Sequence, residues 1–254
     1  MFAKKSLGQN FLRSKKILND IVEAGKVVPG ETVLEAGPGE GTLTEAILAT
    51  GTKVVAVEKD RRLIPLLQTK FAREIQSGML TITEGDILDF DPSVLETTNY
   101  KLIANIPYYI TGQFLRKFLE AEHQPKTMVI LVQKEVAERI VARDGKESLL
   151  SISVKAYGTP RYVETVKAGN FSPAPNVDSA ILAIENISKK FFTGISEKEF
   201  FTILKAGFAH KRKMLAGNLD ITKDQLATCD ILGNARAEEL SLEQWKCLVT
   251  QQKS

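Results

Sequence analysis

Apolar and polar positions change period along this chain in a regular order. Thr32-Val33-Leu34-Glu35-Ala36, Lys53 to Glu58, Leu80 to Thr83, Lys101 to Ala104 and Met128 to Val132 are short apolar runs, as expected of strands buried on both faces. Between them lie stretches that read as helices, Thr42 to Ala49 and residues 61 to 75 among them. Strands alternating with helices predict βαβ units and a parallel sheet, and five βα units fit the pattern. Arg161 to Val166 and Val177 to Ile184 read as two further strands, joined by the Pro-rich turn Phe171-Ser172-Pro173-Ala174-Pro175. Residues 149 to 157 are ambiguous: Leu150, Ile152 and Val154 alternate as in a strand, while the Ala and Lys content allows a helix. The pattern predicts an α/β domain with a mostly parallel sheet of seven strands, or eight if 149 to 157 is extended.

After about residue 188 the strand signal stops. Ser196-Glu197-Lys198-Glu199, Thr222-Lys223-Asp224-Gln225 and Ser241-Leu242-Glu243-Gln244 each match a capping box, in which a hydroxyl and a carboxylate or amide three residues on satisfy orphan amide donors. Leu242, Trp245, Leu248 and Val249 recur at helical spacing and read as core. The expected organisation is a domain over 1–188 followed by a small all-helical domain over 189–254.

With 254 residues and 43% hydrophobic side chains the chain can bury a sizeable core without disulfides or metal. Its two cysteines, Cys229 and Cys247, are too few for a disulfide framework, and with His123 and His210 they show no metal-ligand spacing. Reduced thiols and no bound metal are expected. The chain shows no apolar run near the roughly 20 residues a membrane helix needs, nor a signal-peptide core, so a cytoplasmic protein is expected. The formal net charge is only +3, yet it is segregated. Residues 1 to 16 carry Lys4, Lys5, Arg13, Lys15 and Lys16 with no acid, and a second cluster is His210-Lys211-Arg212-Lys213. Residues 220 to 243 carry six acids against only Lys223 and Arg236. Two separate basic patches favour a polyanionic partner, with Lys4, Lys5, Arg13, Lys211, Arg212 and Lys213 as its candidate contacts.

The candidate chemistry begins at Leu34-Glu35-Ala36-Gly37-Pro38-Gly39-Glu40-Gly41, which follows a strand and opens a helix. Glycine suits a turn that a cofactor must approach closely, so Gly37 and Gly39 are candidate cofactor contacts. The spacing is Gly-x-Gly-x-Gly. Dinucleotide loops have Gly-x-Gly-x-x-Gly, and Thr42 stands where the last glycine would be, so S-adenosylmethionine, which has no phosphate, fits better than NAD or FAD. Glu58 closes the second strand and suits two ribose hydroxyls; Asp86 closes the third and suits an adenine amino group. Asn105-Ile106-Pro107-Tyr108-Tyr109 closes the fourth. An exocyclic base amine is a weak nucleophile because its lone pair is delocalised into the ring. The Asn105 oxygen and the carbonyl of Ile106 or Pro107 can each accept one amine hydrogen and so aim the lone pair at a methyl group, while Tyr108 stacks on the extruded base.

On these motifs the chain resembles the ribosomal RNA adenine N6,N6-dimethyltransferase family, and within it the KsgA-type small-subunit branch. The resemblance rests on Leu7-Gly8-Gln9-Asn10-Phe11-Leu12, the Leu34 to Gly41 loop, Val57 to Asp60, Gly85-Asp86 and Asn105 to Tyr109. It continues through Gln133 to Arg139, Phe171 to Ala180 and Leu240 to Gln244. It implies a Rossmann-like class I methyltransferase fold, S-adenosyl-L-methionine as cofactor, and dimethylation of two adjacent adenosines in a hairpin near the 3′ end of small-subunit rRNA. It further implies that Asn10, Leu12, Gly37, Glu58, Asp86 and Asn105 contact the cofactor, beneath an N-terminal segment folded over it. Phe171 is implied to pack on the target adenine opposite Tyr108, and 149 to 157 to be a helix. The implied partner is rRNA in an immature 30S particle, met by a monomer. Ile106 departs from the Leu usual in this branch toward the Ile of large-subunit resistance methylases; Asn176, Lys211 and Ala237 also depart from the usual Lys, Arg and Pro. The alternatives are therefore a large-subunit methylase, or an assembly factor in which binding dominates.

Overall fold

The computed structural model describes residues 9–251. Seven strands form one sheet: β2 (Thr32–Ala36), β3 (Lys53–Glu58), β4 (Leu80–Glu84), β5 (Tyr100–Ala104), β6 (Thr127–Gln133), β7 (Thr159–Val166) and β9 (Ser179–Glu185). Their order is β4-β3-β2-β5-β6-β9-β7, in which the first five are parallel and β9 runs antiparallel to β6. The Rossmann-like seven-stranded sheet expected of the sequence is present. Its central strands carry the apolar runs: Val33, Leu34, Leu102, Ile103 and Met128 to Val132 are fully buried.

Helices α1 (Lys15–Ala24), α2 (Thr42–Leu48) and α5 (Thr111–Glu120) pack their apolar stripes inward. Ser14 caps α1 by accepting from the Ile17 amide, and Phe114 and Phe118 of α5 lie edge-tilted at 4.9 Å. The predicted helix over 61 to 75 is two, α3 (Ile64–Lys70) and α4 (Ala72–Gln76), divided where Phe71 leaves helical geometry and its ring enters the core. After β4 there is no α-helix. Asp91 instead accepts from the Ser93 amide and starts a single 3-10 turn at Pro92–Val94, so one of the expected βα units is a βη unit. A second, two-stranded ladder pairs β1 (Phe11–Leu12) with β8 (Phe171–Ser172). Two-residue strands carry no periodicity, so the sequence pattern does not show them.

The chain divides into two compact units, Met1–Ala137 with Arg161–Ile187, and Glu138–Pro160 with Ser188–Ser254. The sequence-based division at 188 leaves 138–160 in the first domain. Contacts place it in the second: Tyr157 donates to Glu197, the Glu147 amide to the Glu238 carbonyl at 2.8 Å, and Lys146 pairs with Glu238 at 3.0 Å. Within it, Leu149–Lys155 is helix α7, started by a reciprocal cap between Ser148 and Ser151. That local cap outweighs the strand-like alternation of Leu150, Ile152 and Val154. The second unit continues with α8 (Glu197–Gly207), α9 (Leu215–Leu219), α10 (Lys223–Ala227) and α11 (Leu242–Gln251), after α6 (Lys134–Ile140) at the end of β6. The Thr222–Gln225 and Ser241–Gln244 boxes close in both directions, and Ser196 accepts from the Glu199 amide. One expectation is overturned. Cys229 and Cys247 are joined in a disulfide, not reduced, because the turn after α10 lies against α11 with the two Cα atoms 5.7 Å apart. Among the described residues no helix is long and apolar enough to cross a membrane.

Candidate active site

From β2 the chain proceeds outward through β3 to β4, then returns to β5 on the other side of β2 and proceeds to β6. The loops leaving β2 and β5 therefore diverge, and a crevice opens outside their carboxyl ends. A cavity of about 120 Å³ occupies that position. Its walls come from the glycine loop after β2, the ends of β3, β4 and β5, and the N-terminal residues Gln9 to Leu12.

Two positions of the glycine loop have no room for a side chain. Gly39 has φ +61°, and a Cβ there would lie 3.0 Å from the Phe11 ring; a Cβ on Gly41, at φ +76°, would lie 2.5 Å from Phe71. The Gly39 amide donates to Glu58 Oε2 at 3.0 Å, and the Asp60 amide to Glu58 Oε1 at 2.7 Å. With the Lys59 amide as a third donor, the Glu58 carboxylate keeps acceptor capacity for a ligand without a free lone pair being assured on both oxygens. Burial pushes the Glu58 carboxyl above its ordinary value, against the pull of those amides. Asp86 accepts from Lys59 Nζ at 2.6 Å and from the Leu88 amide at 3.0 Å. Burial works to raise its carboxyl, but these two donors outweigh it and hold Asp86 below the usual carboxylate range.

Asn105 donates its side-chain nitrogen to the Asn10 carbonyl at 3.2 Å. That bond uses one of the two amide N–H donors and fixes the orientation of the amide, whose Oδ1 is an acceptor beside the cavity. Tyr108 is held by a hydrogen bond between its hydroxyl and that of buried Ser179, while Tyr109, 68% exposed, stands at the cavity mouth. Residues 9–13 are fastened at several points. Gln9 donates to Asp60 at 3.0 Å, Thr42 to the Leu12 carbonyl at 3.4 Å, the Arg13 amide to the Asn170 carbonyl at 2.9 Å, and Arg13 pairs with Glu40 at 2.6 Å. Asp60 also takes the Arg62 guanidinium, which holds its carboxyl well below the usual range.

Asn10, Leu12, Gly37, Gly39, Glu58, Asp86, Asn105, Pro107 and Tyr108 thus line one cavity, although they are spread over about a hundred residues of sequence. Other candidates lie elsewhere. Phe171 is not among the lining residues: it is buried beside Leu12 and pairs with it in the β1–β8 ladder. Arg13 is tied to Glu40. Lys211, Arg212 and Lys213 are exposed in the turn between α8 and α9 of the second unit. Lys4 and Lys5 fall outside the described residues. Sequence reasoning assigned no role to Phe11, Thr42, Lys59 and Tyr109, which all line the cavity. Phe11, Lys59 and Tyr109 each adjoin a residue that was assigned, which was the available signal.

A family model described as ribosomal RNA adenine dimethylase matches residues 2–252. The chain is 44% identical over 261 residues to the ribosomal RNA small subunit methyltransferase A of Dehalococcoides mccartyi, covering 97% of this chain and 87% of that one. Among solved structures it is similar to a dimethyladenosine transferase from Plasmodium falciparum, with 26% identity, TM-score 0.82, and 96% and 97% of the two chains covered. It is also similar to the 23S rRNA methyltransferase ErmE, with 25% identity, TM-score 0.79, and 96% and 100% covered. The chain belongs to the ribosomal RNA adenine dimethylase family.

Proposed function

We propose that this protein dimethylates the N6 amines of two adjacent adenosines in a hairpin near the 3′ end of small-subunit rRNA, using S-adenosyl-L-methionine. The observation that carries the chemistry is the fixed amide of Asn105. With Nδ2 held by the Asn10 carbonyl, Oδ1 is presented as an acceptor at the end of β5. It takes one hydrogen of the target amine, a backbone carbonyl of Ile106 or Pro107 takes the other, and the nitrogen lone pair turns toward the methyl donor. Tyr108, fastened through Ser179, and Tyr109 offer ring surface to an extruded base.

The cavity fits this cofactor. Glu58 retains acceptor capacity for ribose hydroxyls, Asp86 sits at the next strand end, and Lys59, the cation of the lining, is already paired with Asp86. A lining with two carboxylates and a neutralised lysine favours a cationic ligand and disfavours a pyrophosphate. Asn10, Glu58, Asp86 and Asn105 would hold the cofactor, and it would supply its sulfonium methyl for a new carbon–nitrogen bond in exchange for its carbon–sulfur bond, leaving an alkylated amine acidic enough to lose its proton to water. Glu58 and Asp86 are thereby left to hold the cofactor instead of acting as bases.

The small subunit is favoured as substrate by the 44% identity to a small-subunit methyltransferase, against 25% to a 23S rRNA methyltransferase. The family resemblance of Gln133 to Arg139 and Ala237 to Gln244 points the same way. We assign the substrate form to an immature 30S particle, met in the cytoplasm by a monomer. The test is transfer of labelled methyl groups, offered in parallel to undermethylated small subunits and to naked large-subunit rRNA, with the product nucleoside identified by mass spectrometry. Dimethyladenosine confined to the small subunit is expected. Label only in large-subunit rRNA makes the protein a methylase of the other branch, and no label with tight particle binding makes it an assembly factor.

A further inference from the structure

We propose that the exposed ring of Tyr109 is a stacking platform for the nucleotide beside the target adenosine, so that the enzyme reads two neighbouring bases instead of one flipped base. This rests on the rRNA reading above and narrows the part that Tyr109 plays in it. Tyr108 and Tyr109 belong to one 3-10 turn, Tyr108–Ile110, which is fixed by the Ile110 amide donating to the Pro107 carbonyl at 3.2 Å. Three residues complete a turn of such a helix, so consecutive side chains leave its axis about 120° apart and the two rings cannot cover the same base. Tyr108 is half-buried, and the bond of its hydroxyl to buried Ser179 keeps it at the cavity with Asn105. Tyr109 faces outward. At 68% exposure it is the one aromatic among the exposed large apolar side chains of the described residues.

The ring lines the cavity mouth, yet among the described residues no side chain hydrogen-bonds to it and no other ring packs on it. Its neighbours at the start of α5 leave it open: Gly112 and Gln113 are exposed, and a Cβ on Gly112 would meet nothing within 4 Å. The nearby cation, Lys59, is held by Asp86 at 2.6 Å, so what this corner offers is a π face and not a phosphate contact. Every nucleobase has a π face, and an exposed ring beside a nucleic-acid site is the surface that takes one. A strand that delivers one base to Tyr108 carries the next base outside the cavity, where Tyr109 stands. Stacking reads no amine hydrogens. The platform therefore accepts a neighbour whether or not it is already dimethylated, as an enzyme acting on two adjacent adenosines requires.

The test compares full-length wild type with Tyr109→Ala, Tyr109→Leu and Tyr109→Phe on undermethylated small subunits. Ala and Leu are expected to raise KM about tenfold, as for one lost base stack, with kcat changed less than about twofold. Phe keeps the ring and should bring KM back to within about twofold of wild type. Calorimetric affinity for S-adenosylhomocysteine should not follow these changes. In particles where the nucleotide on each side of the target is replaced in turn by uridine, which stacks less, the Tyr109→Ala penalty should shrink at one flank only. An unchanged KM, a fall in kcat alone, or a penalty that is the same at both flanks overturns the platform. So does a matching loss of S-adenosylhomocysteine affinity, which would place the ring on the cofactor. If wild-type protein leaves the particles unlabelled, the methylation reading fails and equilibrium binding to the same particles carries the comparison. Tyr109→Ala should then bind about tenfold more weakly, and equal affinities overturn the platform.

Discussion

Cations around the cavity and cations along α8 are used in opposite ways. At the cavity Lys59 is paired with Asp86, Arg13 with Glu40, Arg62 with Asp60 and Arg61 with Glu84. These pairs fix the strand ends and the N-terminal segment, and leave a site whose spare hydrogen-bonding capacity is acceptor. Lys198, Lys205, Lys211, Arg212 and Lys213 have no such partners among the described residues, and their charge stays available. The difference teaches that abundance of basic residues does not by itself leave charge available; the absence of a neighbouring carboxylate does. An exposed pair is worth about 0.2–1 kcal/mol and serves mainly to position, whereas each unpaired cation on a phosphate carries a salt-dependent share of affinity.

The comparison breaks first at Asn105. Replacing it with Ala removes the oxygen that orients the amine, and single-turnover methyl transfer should fall about 10²- to 10³-fold while particle affinity stays within a few fold. Equal loss of both would mean that the cavity is an RNA-binding element and not a separate catalytic one. Next is Glu58→Gln, which keeps the shape but loses the charged acceptor. Calorimetry should show cofactor binding weakened about 10- to 100-fold with an unchanged salt slope for RNA. In the wild type, cofactor affinity should fall as pH drops through the Glu58 titration, at a pH above that of an ordinary glutamate because burial raises this carboxyl.

A sharper contrast sets Lys211→Gln/Arg212→Gln/Lys213→Gln against Arg13→Gln. The triple variant should reduce the RNA salt slope by about 2 and leave cofactor affinity alone. Arg13→Gln should leave the slope intact and weaken cofactor binding only a few fold, by about the worth of an exposed pair. A slope change in Arg13→Gln would place that residue with the RNA contacts.

A further prediction concerns stability instead of binding, through a carboxyl buried beneath the glycine loop's strand. Glu35 is fully buried on β2 with neither oxygen in full hydrogen-bond geometry, and the Thr44 hydroxyl beside it offsets only part of the burial. Burial pushes its carboxyl from 4.5 up to about 8. The folded protein thus keeps a proton that the unfolded chain has released, so this contribution to stability is complete below 4.5 and lost as pH rises toward 8. Glu35→Gln should flatten the decline of Tm across that window, as followed by thermal melts. An unchanged decline would assign the pH dependence to other groups.

Much of this was legible in the sequence because it depends on short-range chemistry. Strand positions followed from apolar runs, since a strand covered on both faces must be apolar throughout. The glycine loop, Glu58, Asp86 and Asn105 were readable because each ends a predicted strand, and in a parallel sheet those ends share an edge. The β1–β8 ladder was not readable: its two pairs join Phe11 to Ser172 and Leu12 to Phe171 across 160 residues with no local signal. The interior position of Phe171 follows from that ladder. The disulfide was missed for a related reason, as counting cysteines says nothing of which turns meet.

The sequence by itself determined the element order, the cavity edge and the residue types offered there, because hydrophobic period, glycine geometry and capping act over a few residues. Tertiary structure alone decided which charges are neutralised, where 138–160 belongs, how Asn10 engages one Asn105 donor, and that the Lys211 to Lys213 turn is pinned by Trp245 and Asn218. Those are contacts between residues far apart in the chain. Their energies depend on distance in space, which the order of residues does not display.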